Sequence, residues 1–197
     1  MHADRTFRKP EEGDILRQLS SWLAAAGAAA LILAPLAGAR ADAQTQRGKY
    51  LVEVGGCSDC HTPGSLLGKP DMKRFLGGSE VGFGIPGLGV FPARNLTPDK
   101  ETGLGTWTRA QIITSFTKGK RPDGRMLAPI MPWRGLSHLT HRDAEAIAAY
   151  LQSLPPVHNP VAGPFGPDQK VTTFVMTVLP ADVFNGLPKP PGGPPPK

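Results

Sequence analysis

Cys57-Ser58-Asp59-Cys60-His61 is the stretch on which the reading of this chain turns. Two thiols three residues apart, with a histidine directly after the second, form a Cys-x-x-Cys-His motif, the pattern of a covalent c-type haem attachment site. Two thiols one turn apart can each add to a vinyl group of one porphyrin. The adjacent imidazole then reaches the iron. The chain has two cysteines in all, so none is left for a structural disulfide. Three duller readings compete: a thioredoxin-like redox pair, half of a zinc site, and chance. Zinc would require a second pair of Cys or His ligands at short spacing, and none appears. A thioredoxin-like pair should follow a strand in a βαβ pattern, which these flanks do not resemble.

Outward from the motif, 197 residues leave room for one domain plus extras. Twenty-four glycines, 22 prolines and only 19% charged residues point to a small, loop-rich core. A large apolar macrocycle would supply much of the core that few side chains could build alone.

Residues 1–43 read as a targeting segment. A mixed-charge leader ends near Arg17, an Ala/Leu-rich run extends from Trp22 to about Ala39, and Ala41-Asp42-Ala43 offers a small-residue cleavage pattern before Gln44. The competing reading is an uncleaved anchor, because the apolar run approaches the length of a membrane span. Either reading puts the following domain outside the cytoplasm, in the periplasm, where haem c is assembled. The net charge of +6 is unchanged by removing the leader, which carries equal numbers of acidic and basic residues. No nucleic-acid-binding motif accompanies that charge. It suits steering towards an acidic protein or an anionic membrane face, or simply a solvated surface.

Gln46–Val54 reads as a short amphipathic helix with Thr45 as N-cap, ended by Gly55-Gly56, and with Gly48 admitting a neighbouring helix. From Thr62 to Arg94, glycines and prolines interrupt every apolar run. An irregular loop is preferred there over a hairpin of Phe83-Gly84-Ile85 with Val90-Phe91. Asn95, Thr97 and Trp107 are equally readable as haem-propionate donors or as turn and core residues. Thr108-Arg109-Ala110-Gln111 is a capping box opening a helix that runs to about Lys118, with Gly119 as its stop. The basic cluster Lys118, Lys120, Arg121 and Arg125 follows, as a solvated loop or a docking ring.

Met131, before Pro132, is the preferred second iron ligand. A thioether is a soft donor with no proton to lose, and Pro132 holds its neighbour extended. Met126 is the main rival and Met176 a remote one, while Met72 reads as a packing or surface residue; His138, His141 and His158 could also ligate, although lone histidines usually do not. Thr140 caps a helix over about His141–Ser153, ended by Pro155-Pro156. Residues 157–197 read as a Pro/Gly-rich extension in which Phe174–Leu179 packs on the domain and 186–197 is disordered.

These pieces together resemble a known family. Cys57-x-x-Cys60-His61, Asn95-Leu-Thr-Pro-Asp99, Thr102-Gly-x-Gly105-x-Trp107, Arg121-Pro-Asp-Gly124-Arg125, Met131-Pro132-Trp133 and Ala149-Tyr-Leu-Gln-Ser-Leu-Pro155 are similar, in that order, to motifs of single-haem, class I-like cytochromes c serving periplasmic dehydrogenases. The resemblance spans about residues 46–156. It implies His61 as proximal and Met131 as distal iron ligand, one haem c on Cys57 and Cys60, and an all-α domain (44–156) whose first and last helices cross near Gly48, Tyr50 and Leu151. Many such subunits carry three attachment motifs; this chain has one. The expected role is an electron carrier and not itself an enzyme, taking electrons from a dehydrogenase and passing them to a respiratory acceptor. The alternatives are a haem enzyme or gas sensor with a labile distal ligand, and a structural subunit whose extension locks a dehydrogenase complex.

Overall fold

Helix α3, Arg109–Lys118, begins where its sequence demands. The Thr108 hydroxyl accepts from the Gln111 amide while Gln111 Oε1 accepts from the Thr108 amide at 2.9 Å, satisfying two otherwise orphaned donors. Gly119, at φ 67°, ends the helix in the left-handed conformation that a side chain would disfavour. Ile112 and Phe116, one turn apart, face inward.

The computed structural model describes residues 40–188, so the sequence expectations for the leader before residue 40 and for the tail after 188 lie outside it. The chain divides into two units, Met1–Gln44 and Thr45–Lys197. Of the first, residues 40–44 are described and are helical. In the second, residues 45–54 form α1. Thr45 is itself helical and therefore does not act as the expected N-cap. Among the described residues, no helix is long and apolar enough to cross a membrane.

The last long helix, α5 (His141–Ser153), is capped by Thr140, whose hydroxyl accepts from the Asp143 amide at 3.1 Å. It buries Ala144, Ile147, Ala148 and Leu151, and these join Val52, Leu76, Ile112 and Phe116 in one apolar core. Helices α1 and α5 meet at Gly48, where an added Cβ would run into the Ala146 carbonyl. Only a glycine permits that approach. Arg47 Nε donates to Asp143 Oδ1 at 2.9 Å across the same crossing. Tyr50, expected there, is instead exposed and lies under the Arg47 guanidinium on its own helix. The short α4 (Trp133–Leu136) packs on α3, with the Trp133 indole against Gly119.

The all-α expectation needs correction. Strands β1 (Val81–Ile85) and β2 (Gly89–Pro92) form an antiparallel hairpin, and β3 (Phe174–Thr177) joins β1 in parallel, giving the order β2-β1-β3. The irregular loop preferred from the sequence is therefore a hairpin. Its turn is Ile85-Pro86-Gly87-Leu88, closed by the Leu88 amide on the Ile85 carbonyl at 3.0 Å with Gly87 at φ 74°. Proline second and glycine third is sound turn chemistry, which the surrounding glycines obscured. The Phe174–Leu179 patch does meet the domain, but through main-chain pairing: all four β3 side chains are exposed.

Candidate functional site

The attachment motif occupies its own short helix, α2 (Cys57–His61), entered through Gly56 at φ 63°. A three-residue separation on a helix puts both thiols on one side. Cys57 and Cys60 are half-buried free thiols, and Cys57 packs on the apolar core. Burial pushes both thiols above their ordinary value and keeps them protonated.

His61 is held from behind. Its Nδ1 lies 2.7 Å from the Arg94 carbonyl oxygen. A carbonyl only accepts, so Nδ1 carries the proton, and the neutral ring presents Nε2 as a free base. Burial draws the imidazole below its usual value, with the Arg94 carbonyl opposing in part. This is how metal-ligating histidines are commonly oriented. The Thr62 hydroxyl accepts from the Leu76 amide at 3.0 Å, and the His61 carbonyl accepts from the Gly78 amide at 2.7 Å, so the motif's exit is tied to the 76–78 segment.

Met131 sits in a non-helical stretch fixed at both ends: its amide donates to the Ala128 carbonyl at 3.0 Å and its carbonyl accepts from the Trp133 amide at 2.7 Å. Its side chain is half-buried against the same core as Cys57. Met126, Met72 and Met176 are 56%, 64% and 43% exposed, respectively, whereas Met131 is half-buried. His138, His141 and His158 are exposed.

Asn95 and Thr97, read from sequence as possible propionate donors, are fully buried and internally satisfied. Asn95 Nδ2 donates to Thr102 Oγ1 at 2.9 Å and to the Val157 carbonyl at 2.7 Å, and its Oδ1 accepts from the Thr97 amide and hydroxyl. They pin the start of the C-terminal extension. Trp107 packs on the core beneath the Arg121 guanidinium, 5.3 Å from its ring centroid. In the basic cluster, Arg121 and Arg125 share Asp123, whose carboxyl they hold well below the usual range, while Lys118 and Lys120 are exposed.

Sequence reasoning missed Arg94. Its contribution to His61 is a main-chain carbonyl, for which no residue type is a signal.

The cytochrome c family model matches residues 45–155, more than half of the chain and all of this site. The chain belongs to the cytochrome c family. Its domain accordingly implies a covalent haem c and an electron-carrying role. The cytochrome is 34% identical over 119 residues to the cytochrome c subunit of a quinone alcohol dehydrogenase of Gluconacetobacter polyoxogenes, covering 60% of this chain and 24% of that one. It is 31% identical to the fructose dehydrogenase cytochrome subunit of Gluconobacter japonicus, over 55% of this chain and 22% of that one. A dihaem c-type cytochrome of Cereibacter sphaeroides is 29% identical over 57% of this chain and 37% of its own length. The cytochrome thus spans about a quarter of the length of the dehydrogenase subunits it matches.

The residues present fit a haem c. The donor set combines two free thiols on one helical face, a neutral imidazole with Nδ1 engaged, and a thioether packed on the core. Among the described residues, no group of three or more His, Cys, Asp and Glu side chains is gathered to hold a metal ion directly.

Proposed function

We propose that this protein is an exported, periplasmic cytochrome that accepts single electrons from a dehydrogenase and passes them towards a respiratory acceptor. In this reading Cys57 and Cys60 hold one haem c through thioethers, His61 is the proximal ligand and Met131 the distal one. Residues 1–43 serve as signal peptide or membrane anchor, 44–156 as the cytochrome domain and 157–197 as an extension.

The observation that carries the reading is the His61 Nδ1 bond to the Arg94 carbonyl, which leaves Nε2 free beside two unoxidised thiols. Cys57 and Cys60 would hold the haem through thioethers, the S–H of each adding across a vinyl group with no oxidant required. Haem c supplies reversible one-electron exchange at iron. His61 supplies a fixed nitrogen donor, and Met131 a soft sulfur donor that favours the reduced iron and a high potential. With His61 and Met131 both engaged by the iron, the group would supply electron exchange and not substrate binding. The partner follows from the relatives, which are named as cytochrome subunits of dehydrogenases.

The test is the visible spectrum of the purified protein, oxidised and reduced, with and without carbon monoxide. A low-spin spectrum with the weak far-red sulfur-to-iron band, unmoved by carbon monoxide, is expected. Ready binding of carbon monoxide would remove Met131 from its role and favour an enzyme or gas sensor.

The extension supports a second, compatible reading as an assembly element. Phe174, Val178 and Phe184 are 61%, 89% and 65% exposed on a segment outside the family's shared residues. A chain with these three changed to serine that still co-purifies with its dehydrogenase would rule this out.

A further inference from the structure

Arg94 faces two ways. Its carbonyl receives the His61 Nδ1–H, and its guanidinium reaches into the C-terminal extension. Nη1 donates to the Val161 carbonyl at 2.8 Å and to the Gly163 carbonyl at 2.9 Å, with the Ala162 carbonyl at 3.5 Å. Three successive carbonyls converge on one cation because Gly163 turns the chain at φ 76°, a conformation that favours glycine.

The guanidinium is half-buried, and no carboxylate pairs with it among the described residues. The partners of its Nη1 among the described residues are main-chain carbonyls of the extension. The contact is therefore held by hydrogen bonds to main-chain carbonyls and not by a counter-ion. Beyond it, Phe165 and Val90 exchange two main-chain bonds of 2.9 Å, continuing the extension along β2.

We propose that Arg94 is a positioning residue through which the C-terminal extension sets the strength of the His61 Nδ1 hydrogen bond, and with it the oxidation–reduction balance at the site. The inference rests on the reading of His61 as iron ligand. The physical link is short. A carbonyl drawing on Nδ1–H makes the imidazole a stronger donor, which favours the oxidised iron. The neighbouring Ala93 and Leu96 stay bonded to Ser79 and Leu76, so releasing the guanidinium removes one restraint on the Arg94 carbonyl, which weakens the Nδ1 bond and favours the reduced iron. A partner that lifts the extension off Arg94 would therefore make the cytochrome easier to reduce. The extension lies beyond residues 45–155, the span that the family model matches.

The test uses the full-length haem-loaded protein and two readouts, a spectroelectrochemical titration and hydrogen exchange at the Phe165 amide. Arg94→Ala and, separately, Gly163→Val are each expected to shift the reduced-to-oxidised ratio at the wild-type midpoint by about threefold or more in favour of reduced. Exchange at Phe165 should accelerate in both. The double variant should shift no further than either single one, because both act through one contact. Arg94→Lys, which keeps the cation and part of the hydrogen bonding, should recover most of the wild-type balance and covers the case in which the alanine variant fails to fold. Faster exchange at Phe165 with an unmoved midpoint in the single variants would overturn the proposal, since Arg94 would then only fasten the extension. Additive shifts would overturn it as well. Failure of the underlying haem reading is separately visible: His61→Ala would then leave the low-spin spectrum intact.

Discussion

Gly48 of α1 lies directly against the main-chain carbonyl of Ala146 in α5. The two helices that close the core are separated there by backbone alone. Nothing at the contact is a flexible side chain that could move aside, and the next atom out, Tyr150 Cβ, would be only 2.8 Å from an added Cβ. Gly48→Ala should therefore force the helices apart and cost about 2–3 kcal/mol. Denaturant unfolding of the haem-loaded protein checks this; a midpoint equal to wild type would mean that the crossing is looser than described.

The methionines divide by burial. Met131→Ala should abolish the far-red sulfur-to-iron band and open the iron to carbon monoxide. Met126→Ala should leave both properties as in wild type, because Met126 is exposed. Absorption spectra of the two variants side by side decide between them.

The Arg47–Asp143 pair gives a pH dependence of definite sign. Asp143 is held below its ordinary value, first by the hydrogen bond from Arg47 and then by that from Thr140. Its stabilising contribution is present above the unfolded carboxylate value of about 4 and is lost as pH falls through the lower folded value. Arg47→Gln should be less stable than wild type at pH 7. The gap should narrow on acidification below about pH 4, and also in high salt because Arg47 is on the surface. Urea titrations at pH 7 and pH 3 measure both gaps.

Lys118 and Lys120 are exposed cations flanking the end of α3. If their field steers anionic partners, Lys118→Glu with Lys120→Glu should slow oxidation by hexacyanoferrate(III) about tenfold at low ionic strength. The rates should converge near 0.5 M salt, where screening acts over only a few ångströms. Stopped-flow rates that do not differ at low salt would place the electron's exit elsewhere.

What could be read along the chain was local. Cys57, Cys60 and His61 announce their chemistry by spacing within one turn of helix. The Thr108 box and the Thr140 cap lie three residues from the amides they satisfy, and Gly48 declared a close approach without naming its partner. Pro86-Gly87 was equally local, but the glycines at 82, 84 and 89 hid the strand pattern around it. Asn95 and Thr97 stayed undecided because the group that settles their role, Val157, lies about sixty residues away.

Tertiary structure decided the rest, through contacts whose information is carried by backbone. The pairing of β3 with β1 joins segments some ninety residues apart through amides and carbonyls that every residue has. Arg94 orients His61 by the same anonymous group, thirty-three residues along the chain. Side-chain identity marks where thiols, imidazole and thioether are. Which carbonyl stands behind the imidazole, and which strand covers the hairpin, depends on how the chain closes on itself.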